Sequence, residues 1–109
     1  MADLRARVRL SASRITKGEV IEVRALVTHP MESGNRLGPD GSAVPRNIVQ
    51  SFRAEFDGVP VFSVALDTAV SANPFFQFHV APPASGTLSL TWNDESGQEV
   101  TLQEAITVV

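Results

Sequence analysis

Apolar residues recur at every second position along most of this chain. Leu4, Ala6, Val8 and Leu10 alternate with Arg5, Arg7 and Arg9, the pattern of a strand with one wet face. After a Lys17-Gly18 turn, the stretch Glu19 to Thr28 puts Ile21, Val23, Ala25 and Val27 on one side. Ile48 to Phe56 puts Ile48, Phe52, Ala54 and Phe56 on one face. Asp57-Gly58 is a tight-turn signal, and Val61 to Leu66 returns as the second arm of a hairpin. Phe75 to Val80 is short and apolar, with one of Phe75 and Phe76 facing away from the core by alternation. Thr87 to Asn93 aims Leu88, Leu90 and Trp92 inward, and Ser96-Gly97 turns the chain. Val100, Leu102, Ile106 and Val108 then alternate to the end, with Glu104 interrupting them. These seven strands predict an all-β antiparallel sandwich, one domain over residues 1–109. The one helix-like window, Asp67 to Ala72, allows a single turn before Asn73-Pro74.

Regular spacing fails between His29 and Asn47. Three prolines and three glycines lie in this stretch, and it is long for a loop of a compact domain. Loops of that length are usually functional or disordered. A functional use is favoured here.

Charge is unevenly spread. Residues 1–36 carry seven basic and four acidic side chains, while residues 37–109 carry two basic and eight acidic, for a net charge of −3. The alternating arginines near the start share a strand face, but all six phenylalanines lie elsewhere in the sequence. Nucleic-acid binding would pair a basic stripe with stacking aromatics. A solvated outer face is therefore the preferred reading of those arginines. No apolar run approaches a membrane helix, and the first ten residues lack the apolar stretch of a secretory signal.

The residue types for catalysis or cofactor binding are sparse. There is no cysteine, which removes thiolate chemistry, zinc–thiolate sites and a cupredoxin-type copper site. His29 and His79 are the only histidines and have no second ligand at metal-site spacing. Met31 near His29 reads as packing rather than as a soft-metal ligand. Neither a nucleophile elbow nor a glycine-rich phosphate loop occurs. No catalytic residue, metal ligand or cofactor site is expected. His79, between Phe78 and Val80, is expected on the wetter face with Phe75 and Gln77.

Four stretches carry a resemblance. They are His29-Pro30-Met31-Glu32-Ser33-Gly34 followed by Arg36; Val44-Pro45-Arg46-Asn47-Ile48; Ala72-Asn73-Pro74-Phe75; and Ser85-Gly86-Thr87-Leu88 leading to Trp92, Asp94 and Gly97. With Arg7-Val8-Arg9-Leu10 and the Lys17-Gly18-Glu19-Val20-Ile21 turn, they make the chain resemble the SoxZ family over nearly its whole length. That family is the small, cysteine-free subunit of the SoxYZ sulfur carrier of thiosulfate oxidation. The resemblance implies an immunoglobulin-like sandwich of about seven strands, without catalysis of its own. It implies a tight heterodimer with a SoxY-like subunit, whose cysteine on a flexible C-terminal arm carries sulfur intermediates. The complex would meet other sulfur-oxidation enzymes transiently, and exposed partner surface would let the isolated chain form homodimers. It also implies a periplasmic location, reached on the partner's export signal, where composition alone gives the cytosol. Ser33 stands where Thr is more usual in the family, and Phe75 where Tyr is common.

The expected partner-binding zone is the long loop with the segment before the sixth predicted strand: His29, Pro30, Met31, Arg36, Arg46, Asn47, Asn73, Pro74 and Phe75. Phe75 or Phe76 would be its aromatic anchor. Arg36 and Arg46 bracket the loop. Salt bridges to Glu32 or Asp40 are their preferred role, ahead of guidance of an anionic carrier arm. The competing reading is a stand-alone extracellular ligand-binding sandwich.

Overall fold

Side chains on a strand point alternately to opposite faces, so a period-two sequence buries one face and wets the other. The computed structural model describes residues 5–29, 31, 34, 37–42, 46–66 and 74–109. Among these it holds eight strands and no helix: β1 (Arg5–Leu10), β2 (Arg14–Ile15), β3 (Ile21–Thr28), β4 (Val49–Phe56), β5 (Val59–Ala65), β6 (Phe75–Val80), β7 (Gly86–Asp94) and β8 (Glu99–Val108). They form two sheets, in the orders β1-β3-β6 and β2-β8-β7-β4-β5. This is the expected immunoglobulin-like sandwich. The seven expected strands are all present, with ends shifted by at most two residues. The eighth, β2, is too short to show alternation, and it pairs with β8 in parallel rather than antiparallel fashion. The helix-like window at 67–72 lies outside the described residues.

Two irregularities follow from local chemistry. A bulge in β4 between Val49 and Ser51 shifts its register against β7. Ile48 and Val49 are consequently both buried, where strict alternation predicts only the first. The edge strand β5 carries Pro60 and a second register shift that leaves Val61 without a partner in β4. A proline and a bulge both hinder pairing with a further strand. Between β4 and β5, Asp57 and Gly58 have φ of 48° and 83°. Two successive positive values are what a tight two-residue hairpin requires.

The interior is an aromatic stack that spans both sheets. Phe52 of β4 pairs with Trp92 of β7 in register, their rings 4.8 Å apart. Across the sandwich Phe52 lies parallel to Phe76 of β6, with centroids at 4.8 Å and planes 2° apart. Phe62 of β5 stacks on Phe78 of β6 at 4.7 Å. Since Phe76 faces in, Phe75 must face out, and it is 54% exposed.

The two neighbouring roles should separate in stability measurements. Phe52→Ala removes the ring that touches four others and should cost about 3–5 kcal/mol. Phe75→Ala should stay within about 0.5 kcal/mol of the parent. Urea titrations of both variants check this, and equal losses would contradict the assignment of faces.

Candidate functional site

Antiparallel order brings one set of strand ends to a single pole. β3 ends there at Thr28, β7 ends at Asp94, and β4, β6 and β8 begin there at Val49, Phe75 and Glu99. The pole therefore gathers segments far apart in sequence: the residues after His29, those around Arg46, Pro74-Phe75, and the β7–β8 turn.

His29 is the pivot, with only 3% of its surface exposed. Its Nδ1 accepts a hydrogen bond from the Met31 amide at 2.9 Å. A ring nitrogen that accepts must be unprotonated, so in the neutral ring the proton sits on Nε2. Nε2 faces Asp94 Oδ2 at 3.3 Å and donates to it. Asp94 is 2% exposed, and its other oxygen accepts from the Ser96 amide, the Ser96 hydroxyl and the Gln98 amide. Burial pushes the Asp94 carboxyl up. The hydrogen bonds from Ser96 and Gln98, with His29, outweigh that and hold it below the ordinary value of 3.8. One carboxylate thus shapes the β7–β8 turn and anchors the start of the long loop.

A second set of bonds binds the far end of that loop to the same turn. Glu95 Oε1 accepts from Arg46 Nε at 2.8 Å and from the Ile48 amide at 3.2 Å. The Glu95 amide returns a bond to the Ile48 carbonyl. Met31 has φ of 53°, uncommon for a residue with a side chain, and is nevertheless buried. Its sulfur accepts from the Val49 amide at 3.2 Å. Gly34, at φ 89°, lies so that an added Cβ would meet the Arg46 Cβ at 3.3 Å. The loop base is therefore packed on the sandwich by both its ends.

Of the nine residues nominated from sequence, Pro30, Arg36 and Asn73 lie outside the described residues. His29, Met31 and Pro74 are buried, Asn47 is half-buried, and Arg46 and Phe75 are exposed. The Pro74 carbonyl accepts from the Val27 amide, which fixes where Phe75 begins β6. Arg46 does form a salt bridge, to Glu95, while Glu32, one of its two expected partners, lies outside the described residues. Asp40 instead accepts from Ser42. Sequence reasoning nominated neither Asp94 nor Glu95 as a site residue. The available signal was an Asp two residues before Ser96-Gly97, where a carboxylate can bond the backbone of its own turn. His79 sits on the wet face beside Phe75 and Gln77 as expected, 3.7 Å from Glu22.

Among the described residues, no three His, Cys, Asp or Glu side chains group to hold a metal. His29 and Asp94 are satisfied by structural bonds and are enclosed. Among the described residues, Phe75 and Arg46 are exposed at the pole.

A family model described as "Sulphur oxidation protein SoxZ" matches residues 8–105. No curated protein matches the sequence significantly. Among solved structures, two variants of the superoxide reductase (neelaredoxin) from Ignicoccus hospitalis are similar, each at TM-score 0.71 and 17% identity. The match covers 94% of this chain and 79% of that one. The CARDB domain of the PF1109 protein from Pyrococcus furiosus, solved with di-metal ions, is similar at TM-score 0.54 and 13% identity. It covers 98% of this chain and 94% of that domain. At such identities the likeness extends to the fold alone.

The Asp94 carboxylate has a pH signature. Its folded value is lowered, so its stabilising contribution is complete above the ordinary 3.8 and is lost as pH falls through the folded value. Asp94→Asn should cost about 2–4 kcal/mol near neutral pH. The gap to the parent should shrink on acidification below that value. Urea unfolding at several pH values checks this, and a gap that is constant with pH would contradict it.

Proposed function

The chain belongs to the SoxZ family of sulphur oxidation proteins, and from that premise we propose that it is the non-catalytic subunit of a SoxYZ sulfur carrier complex. In this reading it holds a SoxY subunit, whose C-terminal cysteine carries the sulfur intermediates of thiosulfate oxidation. The observation that carries the proposal is the pole itself. Of the stretches through which the chain resembles the family, His29, Met31 and Gly34, Arg46-Asn47-Ile48, Pro74-Phe75, and Asp94 with Gly97 lie there, around a buried His29–Asp94 pair. A polar pair spent on shaping loops suits a protein that positions a partner.

The nine nominated residues divide into two roles. His29, Met31 and Pro74 hold the shape of the pole from inside. Phe75 and Arg46 meet the partner, with Asn47 beside them, and the proposal extends to Pro30, Arg36 and Asn73, which lie outside the described residues. An exposed aromatic beside a rigid proline is a suitable anchor, because little entropy is left to lose on binding. The lack of cysteine fits as well. A second thiol beside a carrier cysteine would invite thiol–disulfide exchange. The complex works in the periplasm, and this subunit crosses bound to its partner.

One feature favours the second reading, a stand-alone ligand-binding sandwich. A groove of about 390 Å³ lies at the opposite pole, lined by Phe56, Val59, Val61, Pro82 and Pro83. It is apolar and has no convergent polar groups except Asp57 and His79, which is little for specific recognition of a small molecule.

Affinity capture from the native source, with this chain as bait and intact-mass readout, separates the two. A stoichiometric partner whose C-terminus is glycine-rich and contains cysteine, with sulfur-sized mass additions, is the expected result. A clean monomer would favour the ligand-binding module. Phe75→Ala should weaken partner affinity about tenfold or more, the loss of about 1.4 kcal/mol or greater typical of an anchor residue. Unchanged affinity would remove Phe75 from the interface.

A further inference from the structure

The arginines near the start of the chain sit in a setting that the sequence conceals. β1 pairs with β3 and β3 with β6, so Arg7, Leu26 and Phe75 form one row across the outer face of the three-stranded sheet. Arg9, Arg24 and Gln77 form the next row. The phenylalanines are thus not all remote from the arginines, as the linear order suggests. Two arginines directly opposite each other on neighbouring strands repel. Arg24 is neutralised by Glu22 at 2.6 Å. Arg5, Arg7 and Arg9 have no ion-pair partner among the described residues.

Among the described residues the same strand is an open edge: β1 pairs only with β3, and its other side lies toward β8. Among the described residues, β8 in turn is paired on its outer side only at Thr107 and Val108, by β2. Contiguous grooves of about 520 and 590 Å³ run along β1, from Leu102 of β8 over the edge to Leu26 and Phe75 on the outer face. Arg7 and Arg9 line their outer rim, and Ala6, Val8, Val100 and Leu102 line their inner wall. All four of these inner residues are only half-buried. Edge strands are normally protected by charge, proline or a bulge. β5 has the last two, and β8 has Glu104 on its inward side, in line with Leu102 and Ile106. The inward positions of β1 carry no such guard.

We propose that the free edge of β1 binds an extended acidic segment of a protein partner, added as a strand. Residues on one face of a strand recur about every 6.6–6.8 Å. Carboxylates at alternate positions of the added segment would therefore lie opposite Arg5, Arg7 and Arg9. Apolar residues at the intervening positions would close over Ala6, Val8 and Leu102. Backbone bonds to the open edge supply affinity, and the alternating pockets supply register. The charge favours a short acidic segment over a nucleic acid or an anionic membrane. The chain as a whole carries −3, which repels an extended polyanion, and the face offers one exposed aromatic rather than a stacking platform. This proposal concerns the side of the sandwich rather than the pole, and it stands independently of which subunit the pole holds.

The test is titration of the full chain with a synthetic peptide of alternating glutamate and valine, read by anisotropy and by amide NMR. The expected result is saturable binding that weakens steeply with salt, together with new exchange protection of β1 amides. The Arg7→Gln/Arg9→Gln double variant should bind about tenfold more weakly, while Arg7→Lys/Arg9→Lys keeps most of the affinity. Should the glutamine variant melt early, the salt dependence and the β1 amide mapping of the parent decide alone. Absence of binding at low salt would overturn the proposal. So would shifts confined to the pole, tighter binding of a single-stranded oligonucleotide or of phosphatidylserine vesicles, or a self-association through β1 that excludes the peptide.

Discussion

The parallel stack of Phe52 on Phe76 is the contact on which the rest of this molecule depends. It joins the two sheets across the core, and it fixes which way β6 presents its residues. A strand cannot turn one side chain inward without turning its neighbour out. With Phe76 held against Phe52, Phe75 is forced to the surface beside the pole, and His79 to the wet face. The register of β6 against β3 then places Phe75 in the row of Leu26 and Arg7. A core contact thereby sets the position of two surface features, the aromatic at the pole and the basic face.

At the pole, a different economy operates. A buried carboxylate is costly unless it is well bonded, and Asp94 accepts three hydrogen bonds from its own turn besides the one from His29. The enclosed pair therefore fixes the start of the long loop, through His29 and Met31, against the β7–β8 turn. Glu95 does the same for the loop's far end through Arg46 and the Ile48 amide. Together these bonds tie both described ends of the long loop to the β7–β8 turn.

Much of the architecture is legible in the sequence because it rests on a local rule. Alternation marks every strand longer than two residues, and Asp57-Gly58 marks its hairpin, since only a few residue types tolerate successive positive φ. Burial of Leu88, Leu90 and Trp92 follows from the same rule. The short β2 escaped because two residues have no period. The bulge at the start of β4 escaped because both apolar neighbours, Ile48 and Val49, satisfy a strand pattern in either register.

The order of the strands in space has no comparable local signature. Sequence alone gave His29, Arg46 and Phe75 as separate nominees, each in its own motif, and fixed the chemistry available: no thiol, two histidines, a basic beginning and an acidic remainder. Only the tertiary structure joined His29 to Asp94, 65 positions away, and Arg46 to Glu95, 49 positions away. It also brought Phe75 to the arginines of β1. Those partnerships arise from long-range pairing of strands, which is decided by how two sheets bury their shared aromatic interior, and not by the residues adjacent to any one of them.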